Sequence, residues 1–227
     1  SQLLSQSKQL ETLDISNCQR LDEGVMGQLE LPNLTCLNAT FSKISAHHLS
    51  QLLSQSKQLE TLDISNCERL DEGVMGRLKL PNLTSLNAGQ SNIKSDDLSQ
   101  LLSQSTQLRT LDVSRCERLN DALRGGLKLP NLTSLNASLS DISTETLENL
   151  LRRAPSLQSL DIRRCSALTL TESLQNLLEK IPNLKSKFKI NKTADSAAKV
   201  LLRNKELGIS SSNLLRKEKR IAGRKIK

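Results

Sequence analysis

Five cysteines, two adjacent histidines and a recurring aspartate are the residues with chemistry to offer in this 227-residue chain. Cys18, Cys67, Cys116 and Cys165 could pair as disulfides or share a zinc ion. Their spacing argues against both, since they follow one another at steps of 49 residues. Cys36 could serve as a nucleophile beside His47 or His48, but the pair would have to reach from one face of the fold to the opposite one. The histidines stand side by side in a stretch of helical spacing, and the corresponding stretches further along lack them. No phosphate-binding loop, H-E-x-x-H or G-x-S-x-G occurs. The expectation is a chain with no catalytic residues, no metal, no cofactor and no small-molecule substrate of its own.

What positions those residues is a repeat. Gln9 to Cys18 (QLETLDISNC) recurs unchanged as Gln58 to Cys67, then as Gln107 to Cys116 (QLRTLDVSRC) and Ser156 to Cys165 (SLQSLDIRRC). Midway stand LTCLNAT from Leu34, LTSLNAG from Leu83 and LTSLNAS from Leu132. The unit is therefore two subunits of 24 and 25 residues, and a degenerate further copy opens at Leu184. Alternating apolar positions in each subunit predict a short strand with its inner side chains in a core. All five prolines (Pro32, Pro81, Pro130, Pro155, Pro182) sit two residues before a strand-opening Leu, where they end the preceding segment without removing a ladder hydrogen bond. The longer returns, such as Ala46 to Ser56, have helical spacing. The shorter ones, such as Leu21 to Gly27 with its two glycines, predict one helical turn at most. With no Trp, no Tyr and two Phe, the core must be stacked from Leu, Ile, Val and Ala in many similar layers.

The pattern L-x-x-L-x-[LIVA]-x-x-[C/S]-x-x-[LI], as in Leu10, Leu13, Ile15, Cys18 and Leu21, resembles the leucine-rich repeat over about residues 3–190. The resemblance implies an α/β solenoid, curved, with a parallel sheet on its concave face and short helices on its convex face. Strands about 4.8 Å apart put the four repeated cysteines, two layers apart, roughly 10 Å from one another. A disulfide needs Cα atoms within about 7 Å, so pairing and a shared zinc are excluded. In the family this position is Asn or Cys bonded to the turn backbone inside the solenoid. Ser42, Ser91 and Ser140 fill it in the alternate layers. The cysteine version is most similar to the subfamily found in substrate receptors of F-box ubiquitin ligases. Cys36 differs in facing outward, as a reactive thiol or a plain exposed one. Free thiols fit a reducing cytoplasm.

Repeat arrays bind through an extended sheet face. With the strand-opening Leu as position 1, positions 3, 5, 7 and 8 point outward. Position 5 reads Asp14, Asn38, Asp63, Asn87, Asp112, Asn136, Asp161, and position 3 is small and polar except for Cys36. Large side chains stand at the edge: Phe41, Gln90, Leu139 and the basic set Arg115, Arg163 and Arg164. One reading makes this a partner-binding groove with an arginine edge. The other makes the stripe a copied, soluble strand consensus. The arginines replace Asn or Ser-Asn of the template, and departures from a copied template carry more information than the template. The N-L-T triplets at Asn33, Asn82 and Asn131 match a glycosylation sequon but read as strand openings.

Charge divides the chain. Residues 181–227 carry 14 Lys/Arg against 3 Asp/Glu, whereas residues 1–180 carry 18 against 21. The organisation expected is a solenoid of about eight repeats over 1–190 and a helical cap with a basic tail over 191–227. The segment 214–227 reads as solvated, as a nuclear-import or anionic-membrane-surface element, or as a nucleic-acid contact; no aromatic is there to stack on bases. No stretch is apolar enough to span a membrane. The opening Ser1-Gln2-Leu3-Leu4 carries no signal-peptide pattern and already falls inside a repeat, so a preceding segment stays open. The expected function is a protein–protein interaction module for an unidentified partner. In resembling leucine-rich-repeat effectors of intracellular bacteria, it implies action on host proteins; the alternatives are a ubiquitin-ligase adaptor, which needs an F-box not present here, or tail-driven binding.

Overall fold

The structure, a computed structural model, describes residues 8–20, 29–123 and 126–180. The first short return at 21–28, the further repeat from Leu184 and the expected basic tail over 191–227 lie outside the described residues.

Seven strands of three residues form one parallel sheet in chain order: β1 (Thr12–Asp14), β2 (Cys36–Asn38), β3 (Thr61–Asp63), β4 (Ser85–Asn87), β5 (Thr110–Asp112), β6 (Ser134–Asn136) and β7 (Ser159–Asp161). Each strand pairs with the next without slippage, so Thr12 faces Cys36, which faces Thr61, and Asp14 faces Asn38, which faces Asp63. Register is fixed by the period of two. Leu13, Leu37, Leu62, Leu86, Leu111, Leu135 and Leu160 all turn inward and are buried, and a one-residue slip would expose the whole column. Position 6 alternates larger and smaller residues, Ile15, Ala39, Ile64, Ala88, Val113, Ala137 and Ile162, each buried against the next layer. Burying one such Leu fully is worth about 1.5–3 kcal/mol, so stability accrues layer by layer.

The returns are α1 (Ala46–Gln55), a 3-10 turn (Met75–Arg77), α2 (Ser95–Gln104), α3 (Leu119–Leu123), α4 (Thr144–Leu151) and α5 (Glu172–Lys180). The long returns bury one leucine stripe each, Leu49, Leu52 and Leu53 in α1 and Leu98, Leu101 and Leu102 in α2. Ser45 caps α1 by accepting from the His48 N–H, and Ser143 caps α4 in the same way from Thr146; α2 has Lys94 at that place and no side-chain cap.

The short returns are more helical than the expectation of one turn. Between Leu70 and Leu78, Gly73 sits at φ 78° and only a 3-10 turn forms. In the next unit Ala122 stands at that place and five residues, Leu119–Leu123, wind as α-helix, because Ala favours the helix where Gly resists it. After β7 the corresponding return has no glycine and becomes the nine-residue α5.

Candidate binding surface

The outward side chains at positions 3, 5, 7 and 8 line up in columns along the strands and the turns that follow them. At position 5, the carboxylates of Asp14, Asp63 and Asp112 are each joined to the amide of the following layer. Asn38 Nδ2 donates to Asp14 Oδ2 at 3.1 Å, Asn87 to Asp63 at 2.9 Å and Asn136 to Asp112 at 2.7 Å. The other carboxylate oxygen accepts from position 7: the Ser65 N–H and hydroxyl reach Asp63 Oδ1 at 2.9 and 2.6 Å, and Ser114 meets Asp112 at 2.9 and 2.6 Å. The asparagine Oδ1 atoms likewise accept the backbone N–H two residues on, from Thr40, Gly89 and Ser138. Ser16 hydrogen bonds hold the Asp14 carboxyl below its ordinary range. The stripe read from sequence is thus a ladder of mutually satisfied Asp–Asn pairs, with an amide between successive charges.

At β7 the pattern changes. Arg163 replaces the position-7 serine, and its guanidinium grips Asp161 with Nε at 2.9 and 3.0 Å and Nη2 at 2.6 Å, which raises the arginine further. Arg115 Nη1 donates to Gln90 Oε1 at 3.0 Å across one layer. Arg163 is therefore tied back to the sheet, Arg115 is tied to its neighbour, and Arg164 is exposed beside them. The three arginines do not form one cluster: Arg115 is two strands from Arg163 and Arg164.

Position 8 forms the edge column: Asn17, Phe41, Asn66, Gln90, Arg115, Leu139 and Arg164. All seven are left-handed, with φ between 56° and 60°. The backbone imposes this. The position-9 N–H turns back to the position-6 carbonyl, as from Cys67 to Ile64 at 3.3 Å. The position-8 N–H donates to position 7 of the next layer, as from Phe41 to Ser65 at 3.0 Å and Leu139 to Arg163 at 2.9 Å. Phe41 is 51% exposed and Leu139 39% exposed, the two large apolar side chains on the surface among the described residues. The sequence names these edge residues by size and charge, but not their shared backbone conformation; the Asn at 17 and 66, a residue that tolerates it, was the available signal.

Beside Gln90 and Arg115 a surface cavity of about 550 Å³ opens, its charged lining being Asp71, Lys94, Asp96, Arg115, Glu117 and Arg118. Three cations and three anions leave it neutral overall. Sequence reasoning singled out only Arg115 there.

The repeated cysteines are structural. Cys67 Sγ donates to the Ala39 carbonyl at 3.0 Å, Cys116 to Ala88 and Cys165 to Ala137 at 3.1 Å each, every thiol binding the turn of the preceding layer. Burial pushes the Cys116 thiol up to about 11 and raises Cys67 and Cys165 as well. The alternating Ser91 and Ser140 hydroxyls bond their own turns, at Ala88 and Ala137. All five cysteines are free. Cys36 stands half-buried on β2, while His47 and His48 open α1, His48 Nδ1 lying 2.7 Å from the capping Ser45 Oγ. The sequon amides are engaged, Asn33, Asn82 and Asn131 donating to the Lys8, Lys57 and Thr106 carbonyls. Among the described residues no three His, Cys, Asp or Glu side chains converge to hold a metal, and no helix is long and apolar enough to cross a membrane.

No family model matches the chain, and no curated protein matches it. Among solved structures it is similar to an internalin (inlF) of Listeria monocytogenes, with 19% identity and a TM-score of 0.56, over 82% of this chain and 48% of that one. It is similar also to internalin C2 of the same organism, with 21% identity and a TM-score of 0.55, over 81% and 71%. The chain thus spans about half the length of the first. At these identities the likeness establishes the course of the backbone.

Proposed function

We propose that this leucine-rich-repeat solenoid is a non-catalytic protein-binding module that receives its partner on the outward face and edge of the sheet. One observation carries the reading. Across seven strands in strict register, the polar stripe of the sheet is satisfied internally, and large or charged side chains collect in one edge column, at Phe41, Gln90, Arg115, Leu139 and Arg164, with Arg163 next to it in sequence. A row of large and charged side chains along a repeat array offers a partner an extended surface. In the effector setting that the sequence resembles, the partner is a host protein met in a reducing compartment, where the free thiols persist.

The test is affinity capture from eukaryotic lysate by the full chain, by Arg115→Glu/Arg163→Glu/Arg164→Glu, and by the helix-side control Gln51→Arg/Gln55→Arg. A partner retained by the wild type and the control but lost by the triple variant supports the reading. Equal retention by all three refutes it. The basic tail is the second reading, favoured by the 14 Lys/Arg of residues 181–227. It requires that capture fall steeply with salt and disappear in Lys217→Glu/Lys219→Glu/Arg220→Glu.

A further inference from the structure

Two unfavourable features meet in the edge column. The turn forces every position-8 residue into the left-handed region, which Asn tolerates and Phe, Leu, Gln and Arg resist. The cysteine-bearing layers hold the tolerant residue at Asn17 and Asn66 and give it up at Arg115 and Arg164, and the layers between carry Phe41, Gln90 and Leu139 in the same conformation. Leaving Phe41 and Leu139 in water is a second, separate cost, and both exposed large apolar side chains of the described residues fall in this column. Among the described residues, neither the ring nor the isobutyl group joins the core.

We propose that the column is a recognition ridge for an extended peptide segment carrying two apolar side chains about six residues apart with a carboxylate between them. The proposal deepens the protein-binding reading and rests on it. Phe41 and Leu139 are four strand steps apart. At about 4.8 Å per step that is roughly 19 Å, which an extended chain rising about 3.3 Å per residue covers in about six residues. Side chains of such a peptide alternate, so the first and seventh share a face, and so does any at an even offset between them. Arg115 lies three steps from Phe41 and one from Leu139. A carboxylate at the fourth or, with the peptide reversed, the second offset from the first apolar residue reaches it on that same face. The column holds two cations, Arg115 and Arg164, and no acid. The adjoining cavity counts that same Arg115 among its three cations, against Asp71, Asp96 and Glu117. Between Phe41 and Leu139 the one ionised side chain of the column is Arg115, and direct pairing with its guanidinium selects Glu or Asp over Lys at that offset. The bond between Arg115 and Gln90 is exposed and open to exchange for a carboxylate.

The experiment uses the full chain, fluorescently labelled, on an array of synthetic ten-residue Gly/Ser peptides. Each peptide carries two leucines four to eight residues apart and Glu or Lys at the second or fourth offset. The expected result is maximal binding at a separation of six with Glu, falling tenfold or more when Glu becomes Lys. Phe41→Asn/Leu139→Asn loses binding tenfold or more while its urea midpoint rises, because Asn suits the left-handed turn. That rise separates loss of the ridge from loss of the fold. No dependence on leucine spacing, undiminished binding by the double variant, or a lowered urea midpoint overturns the proposal. If the ridge fails here while Arg115→Glu/Arg163→Glu/Arg164→Glu still abolishes capture from lysate, the protein-binding reading stands without it.

Discussion

Native-state alkylation is the sharpest check on reading the cysteines as structural supports. The perturbation is iodoacetamide added to the folded chain at neutral pH. Cys116 is buried, and its thiol is pushed up to about 11 from an ordinary 9.0. A rise of two units lowers the reactive thiolate fraction about a hundredfold at neutral pH. Reagent must also reach a residue that is 5% exposed, with its sulfur hydrogen-bonded to the Ala88 carbonyl. The alternative route, through layer opening, restores the ordinary thiol but is itself held back about a thousandfold if opening costs roughly 4 kcal/mol. Cys36, half-buried on the outward face, should therefore react first, Cys18 and Cys165 next, and Cys67 and Cys116 last, Cys116 at least about a hundredfold behind Cys36. Tandem mass spectrometry of tryptic peptides reads each site, the near-identical Cys18 and Cys67 peptides differing at Gln19 and Glu68. Equal rates at Cys36 and Cys116 refute the reasoning. So does a disulfide between Cys67 and Cys116, which stand two strands apart, about 10 Å against a limit near 7 Å. The same burial sets a pH window. The neutral thiol favours the folded state fully below 9.0, and that contribution is lost as pH rises from 9.0 towards about 11.

Four further outcomes follow from the packing. Ser143→Ala removes the cap of α4 and should lower stability by about 1 kcal/mol, whereas Lys94→Ser supplies the cap that α2 lacks and should raise it by a similar amount, both read as urea midpoints. Gly73→Ala meets only the Lys94 side chain, its Nζ at 3.5 Å, so its loss of about 1 kcal/mol comes from the left-handed backbone; a gain in stability contradicts this. Asn87→Asp puts three carboxylates in successive layers about 4.8 Å apart, where like charges repel by about 1 kcal/mol in a water-like medium and several times that nearer the protein interior. Its destabilisation at neutral pH should vanish as the solution is acidified through the carboxylate range, and a pH-independent deficit would point to lost packing instead. Glu148 is held below its ordinary 4.5 by hydrogen bonds from Ser173 and Thr171, so it stabilises the fold above that value and ceases to as pH falls through its folded-state value. Glu148→Gln should flatten that part of the acid-unfolding profile.

How far the sequence could be read depends on whether a feature repeats. The strands, their register, the inward leucines and the thiol positions recur at fixed spacing, and the period of two leaves one arrangement that buries them all. Features written once per unit were harder. The contrast between the turn at Met75–Arg77 and the helix at Leu119–Leu123 accompanies several exchanges within one return, Gly73 against Ala122 and Val74 against Leu123 among them, and no repeat marks which of them matters. The edge residues were visible as large and charged, but a left-handed φ is a property of the turn, and Phe41 or Leu139 in isolation gives no hint of it. The sequence shows Arg163 as part of an arginine edge and Asp161 as part of the stripe; that the two pair directly, two residues apart, is set by side-chain geometry.

Why the repeat is 49 residues and not 24 or 25 follows from the position-5 column. Aspartate in every layer would stack seven carboxylates about 4.8 Å apart on a surface with no cation in the stripe. Asparagine in alternate layers doubles the spacing of the charges and aims an amide donor at each carboxylate before it, at 3.1, 2.9 and 2.7 Å. The pairing consumes both partners, so the smallest self-consistent unit is two layers. At Asp161, the last aspartate of the described strands, the chain departs from its serine template, and the Arg163 guanidinium closes on that carboxylate from two residues further on. Arg163 is thereby engaged with the stripe, whereas Arg115 and Arg164 stand in the edge column with Phe41 and Leu139, the column proposed above to meet a partner.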